Sequence, residues 1–162
     1  MNTIKVQTVI NAPAEEVWNV LEDFGGVHKW APSVTNSYSI SENNSGPEAA
    51  RHCDVDGFGS IEEYVTEWRE GSGFTFRVSG VGPIREAFSK WTAEPSPSDK
   101  GKTIVTTAVE YSTRFGLIGS AMNLLIMRRK LQQGIVQVHA GLNHHVTTGE
   151  LVGVDFREAK AA

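Results

Sequence analysis

The sequence predicts an α+β domain in which a curved antiparallel sheet of seven strands wraps around one long C-terminal helix, with two short helices after the first strand. Three observations carry that prediction. From Gly116 to about Val146 the residues Leu117, Ala121, Leu124, Leu131, Ile135, Val138 and Leu142 recur at steps of three, four and seven, one apolar stripe along a single helix. Between Val34 and Thr113 extended runs follow one another through short turns with no helix between them, the spacing of consecutive antiparallel pairing. The helical signals are thus segregated from the strands, and one helix must serve a whole sheet. Such an arrangement seldom closes without interior space, and small apolar ligands occupy spaces of that kind.

In chain order, Thr3 to Ile10 alternates Ile4, Val6 and Ile10 against Lys5 and Gln7, the period of a half-buried strand. Pro13 then suits the first turn of a helix, where its missing N–H costs nothing, and Glu15 and Glu16 complement the positive end of the helix dipole. Val17, Leu21 and Phe24 form its buried stripe, Gly25-Gly26 is expected to stop it, and Val27 to Ala31 leaves room for about one further turn before Pro32. The next strand places Val34, Tyr38 and Ile40 on one face and Thr35, Ser37 and Ser39 on the other, ending at the turn Asn43 to Pro47. Ala50 to Val55, Gly59 to Trp68, Phe74 to Ser79, Arg85 to Glu94 and Thr103 to Thr113 complete the strands. Residues 1–148 are read as the domain and 149–162 as a tail expected to be loose.

At 162 residues the chain fits one domain, which at this size buries roughly 70% of its unfolded surface. A hydrophobic fraction of 40%, a charged fraction of 21% and a net charge of -4 fit a soluble globular protein and give no electrostatic reason to expect nucleic acid. The basic run Arg128-Arg129-Lys130 reads as a solvated helix face. A single cysteine, Cys53, forms no internal disulfide, and a polar strand-like start replaces a leader, so a cytoplasmic setting is expected. The apolar stretch from Leu117 to Met127 falls short of the ~20 residues needed to span a bilayer.

The run Ile10-Asn11-Ala12-Pro13-Ala14-Glu15-Glu16-Val17-Trp18, followed by Leu21, Asp23-Phe24 and Trp30-Ala31-Pro32, resembles the polyketide cyclase/dehydrase and lipid-transport superfamily. These are the helix-grip proteins, related to START domains and the Bet v 1 allergens. The similarity continues through Ile61 to Trp68, Trp91 to Pro95 and Gly101 to Thr106, covering most of residues 3 to 146. The resemblance implies the helix-grip fold. It does not imply a particular chemistry, because that fold hosts binders, transporters, cyclases and chaperone cofactors alike.

A carboxylate facing a sheet interior is the natural general acid or base, since desolvation raises its pKa. Glu63, Glu86 and Glu110 are candidates. Glu63 shares a face with Ile61 and Val65, although Tyr64 and Trp68 would place it outward, and the resemblance implies an acidic residue at the matching position. The registers of Glu86 and Glu110 stay open. Arg85 and Tyr38 are candidate assistants to Glu63. Tyr38, Ile61, Val65, Phe74, Phe76, Trp91, Leu117, Leu124, Leu131 and Ile135 are candidate cavity residues, with Phe88 a further aromatic. Gly80 to Pro83 and Phe115 to Gly119 are candidate rim loops, with Leu117, Ile118 and Met122 at the mouth.

His139, His144 and His145 lie near the helix end without zinc-ligand spacing, so no metal is expected. His52 and Cys53 are sequential on a strand and face opposite ways, leaving no nucleophile–base pair. No phosphate loop is present and no cofactor is expected. Three readings result. The first is a monomeric or homodimeric binder or carrier of a hydrophobic small molecule. The second is a cyclase- or dehydratase-like enzyme using Glu63. The third is a partner-modulating protein that presents Leu124 to Met127.

Overall fold

The computed structural model describes residues 1–79, 82, 84–113 and 121–157. Seven strands form one sheet: β1 (Asn2–Ile10), β2 (Val34–Ser39), β3 (Ala50–Val55), β4 (Gly59–Arg69), β5 (Gly73–Ser79), β6 (Ile84–Pro95) and β7 (Thr103–Thr113). Their spatial order is β1-β7-β6-β5-β4-β3-β2, antiparallel throughout, so β2 to β7 pair in sequence and β1 joins the far edge against β7. Helix α1 (Ala14–Leu21) and a 3-10 segment (Phe24–Lys29) follow β1, and α2 (Ala121–Thr148) closes the order. The expected start at Gly116, together with Leu117 and the rim segment Phe115 to Gly119, lies outside the described residues, as do Gly80, Val81, Pro83 and the side chains of Ala121 and Met122.

Two early elements differ from expectation. The chain leaves α1 at Leu21, and Phe24, Gly25 and Gly26 belong to the 3-10 segment; the glycine pair does not terminate α1. Gly25 is needed there for close approach, since a Cβ would sit 2.8 Å from the backbone nitrogen of Ser39. In β2 a bulge between Val34 and Asn36 reverses the parity, so Ser37 is buried while Tyr38 and Ile40 face solvent. The Ser37 hydroxyl is the inward group that completes the packing, donating to the Gly25 carbonyl at 2.7 Å.

The core has two parts. Trp18, Leu21, Phe24, Trp30, Phe74, Phe76 and Trp91 fill the space beneath α1 and the C-terminal half of α2. Phe24 meets Phe74 edge-on at 5.5 Å and Trp30 meets Trp91 edge-on at 5.8 Å, while Phe74 stacks on Trp91. A smaller cluster of Ile4, Val6, Ile84, Ala87 and Tyr111 lies under Met127, Leu131 and Ile135 of α2.

The C-terminal half of α2 is locked down. His139 is fully buried; its Nε2 pairs with Thr107 Oγ1 at 2.7 Å and its Nδ1 with Thr8 Oγ1 at 2.8 Å, tying the helix to β7 and β1. Gly149, with φ of 75°, ends the helix in the left-handed region, its N–H donating to the His145 carbonyl at 2.8 Å. Part of the segment beyond, within residues 150–157, packs back on the domain. Val152 is buried and its N–H donates to the Lys29 carbonyl at 2.9 Å, and Phe156 contacts the His144 ring.

Candidate functional site: a cavity between sheet and helix

Between the two core parts the sheet and α2 enclose a cavity of about 310 Å³. Its floor is Phe76 and Val78 of β5, Ala87, Ser89 and Trp91 of β6, and Thr107, Val109 and Tyr111 of β7; its roof is Leu131, Gly134, Ile135 and Val138 of α2. Trp30 and Ala31 close one side. Phe58 in the β3–β4 turn and Lys130 on α2, both exposed, stand at its mouth. The volume falls at the lower end of the ~300–1,000 Å³ usual for ligand pockets, and the walls are mostly apolar with a few converging polar groups.

Glu63 faces inward. Alternation on β4 puts Ile61, Glu63 and Val65 on the concave face, and Tyr64 outside, where it bonds Glu62. A bulge between Val65 and Glu67 then returns Trp68 to the interior side, against Trp18 and Phe74, which resolves the conflict that pattern reading left open. Glu86 and Glu110 are both exposed.

The partner of Glu63 is Arg51, directly across the β3–β4 ladder. Arg51 Nε bonds Glu63 Oε2, and Nη1 donates to the Phe24 carbonyl at 2.8 Å. The guanidinium also lies 3.9 Å above the Phe24 ring and 5.1 Å from that of Phe76, a stacking that suits a planar cation in an apolar wall. Both charged residues are buried, Arg51 at 5% and Glu63 at 7% exposure. Cys53, two residues along β3, places Sγ 3.8 Å from Glu63 Oε2; burial, reinforced by the carboxylate's charge, pushes its thiol up to about 12, so it sits in the wall as an inert neutral thiol.

Of the expected cavity residues, Ile61, Phe76, Trp91, Leu131 and Ile135 line the space. Val65 and Phe74 are buried but belong to the packed core beside α1. Three assignments are corrected. Tyr38 is on the outer face, stacked 4.9 Å from His52, because of the β2 bulge. Arg85 is exposed in the bulge between Ile84 and Glu86, outside the cavity wall. Leu124 is exposed and does not line the cavity. Phe88 alternates with inward Ala87 and Ser89 and faces out.

Arg51 was missed by pattern reading, which has no reason to put a cation inside. The signal was nonetheless available. Arg51, Cys53 and Val55 stand as far before the Asp56 to Phe58 turn as Glu63, Ile61 and Gly59 stand after it, so an inward Glu63 implies an inward Arg51 opposite.

Among the described residues no cluster of His, Cys, Asp or Glu could hold a metal ion, and no helix is long and apolar enough to cross a membrane. No curated protein matches the chain in sequence. Solved structures share its fold. The Zhui aromatase/cyclase from a Streptomyces species superposes with a TM-score of 0.76 at 14% identity, over 90% of this chain and 93% of that one. A START superfamily protein from Mycobacterium smegmatis gives 0.72 at 13% identity, over 90% and 97%. Ara h 8.0201 gives 0.67 at 13% identity, over 91% and 98%. These likenesses establish the helix-grip architecture, while the family model described as polyketide cyclase / dehydrase and lipid transport matches residues 1–147, and the chain therefore belongs to that family.

Proposed function

We propose that this protein binds or carries a hydrophobic small molecule, a lipid, polyketide or aromatic compound, in the cavity between the sheet and α2. The observation that carries the reading is the cavity of about 310 Å³ walled by Phe76, Trp91, Leu131 and Ile135, an apolar space beside an otherwise close-packed core. Burial of ligand surface at about 25 cal/mol per Å² supplies the affinity, and Arg51 and Glu63 supply orientation. Residues 1–148 act as the binding domain, and the lone Cys53 fits a reducing, cytoplasmic setting. Mass spectrometry of an organic extract of the purified native protein is expected to release one apolar compound. Recovery of none, together with no calorimetric binding of 2-methylnaphthalene, would end the proposal.

The inward Glu63 favours a second reading, a cyclase- or dehydratase-like enzyme in which this carboxylate moves a proton while the cavity excludes water. With Tyr38 and Arg85 outside the cavity, Arg51 is the positioning group for such chemistry. Glu63→Gln is then expected to lower kcat on a confirmed substrate by 100-fold or more, and unchanged turnover would remove this reading.

A further inference from the structure

The Arg51–Glu63 pair is only half used by the protein. Glu63 Oε2 receives Arg51 Nε and lies near Cys53, and Arg51 Nη1 is spent on Phe24. Glu63 Oε1 and Arg51 Nη2 make no hydrogen bond among the described residues. They are not sealed off either. Trp30 Nε1 is the one buried side-chain nitrogen or oxygen there that has no partner and no access to open space, so the two spare atoms open onto the cavity that both residues line. Each is bonded to the same carbon as an atom of the ion pair, so an acceptor and a donor stand side by side on a patch of zero net charge.

Resting on the binding reading above, we propose that the cavity selects a two-ring-sized apolar molecule whose polar end is a neutral hydroxyl, phenolic or alcoholic, and rejects the corresponding carboxylate. A hydroxyl donates to Glu63 Oε1 and accepts from Arg51 Nη2, satisfying both atoms at once. A carboxylate can only accept. It would bring a second negative charge against Glu63 in a desolvated wall, where Arg51 is already neutralised. A hydrocarbon leaves both spare atoms unpaired. The size follows from volume: about 310 Å³ is twice the ~150 Å³ that accommodates one benzene ring, and Trp30, Phe76, Trp91 and Tyr111 offer ring faces and edges for two. Tyr111 Oη, also without a hydrogen bond among the described residues, can meet a second ligand oxygen, but as a neutral group it does not discriminate charge.

Titration calorimetry of the intact chain near pH 7 with 2-naphthol, its near-isostere 2-methylnaphthalene, and 2-naphthoate separates the possibilities. The expected order is naphthol at least tenfold tighter than methylnaphthalene, with naphthoate weakest, roughly 100-fold below naphthol. Glu63→Gln frees the charge of Arg51 and is expected to raise naphthoate above naphthol. Naphthoate binding as tightly as naphthol to the native protein, or an unchanged order in Glu63→Gln, overturns the selectivity while bound methylnaphthalene leaves the carrier reading standing. Failure of all three compounds to bind defeats both. If Glu63→Gln does not fold, the order on the native protein decides alone.

Discussion

Gly134 and Gly141 lie two turns apart on the same side of α2, and their surroundings are opposite. A Cβ on Gly141 would come within 2.2 Å of the Trp30 carbonyl and 3.0 Å of the Pro32 ring, whereas one on Gly134 would meet nothing within 4 Å. The same residue type thus marks a contact at one end and a gap at the other. Around Gly141 the helix is seated, with His139 and Leu142 fully buried. Around Gly134 it roofs the cavity, and further back Leu124, Leu125 and Ile126 stand 40 to 49% exposed. The helix is anchored by its last turns and extends over the hollow, so stability and binding are assigned to different halves of one element.

The largest test of that division is truncation at matched chemistry. Leu142→Ala is expected to cost about 4 kcal/mol, while Leu125→Ala stays within about 0.5 kcal/mol, measured by urea denaturation. Equal costs would show that the helix is seated along its whole length.

Acid probes the anchored half through one residue. Burial holds the His139 imidazole down at about 4, against an ordinary 6.5, and its neighbours Thr8, Thr107 and Trp91 carry no charge. Between those values the unfolded chain takes up a proton that the folded one refuses. Stability from this residue is therefore complete above pH 6.5 and drains as pH falls toward 4, by roughly 3 kcal/mol. Denaturation midpoints of the native chain and of His139→Gln should converge over that interval; parallel pH curves would show that His139 is not the anchor.

The smallest effect sharpens the glycine pair itself. Gly134→Ala is expected to raise stability by about 0.8 kcal/mol, because helix propensity improves and nothing is displaced. Gly141→Ala should lower it by about 2 kcal/mol, since the backbone of Trp30 must retreat. Thermal melts of the two variants moving in the same direction would refute the contrast.

Much of this arrangement was legible before any coordinates. The boundaries of β3 and β7 coincide with their alternating runs, and the need for interior space followed from one helix serving seven strands. What failed did so for local reasons. A bulge changes which face a residue occupies without altering composition, so Tyr38 and Arg85, in or beyond bulges, were placed inside and belong outside. Apolar pattern also carries no instruction for a buried cation, so Arg51 goes unread until its register opposite the inward Glu63 is known. The apolar stripe on α2 continues through Leu124 although that residue stands exposed; the pattern reports what could be buried, not what is.

One feature of the topology reaches beyond the finished molecule. β1 is made first, yet its hydrogen-bonding neighbour is β7, with Ile4 opposite Val109 and Ile10 opposite Thr103. During synthesis the opening strand must wait, its backbone groups solvated, until nearly all of the remaining sheet has emerged. Closure of the edge is thus a late, all-or-nothing event, and a ribosome-bound fragment ending before Thr103 would be unable to complete the container.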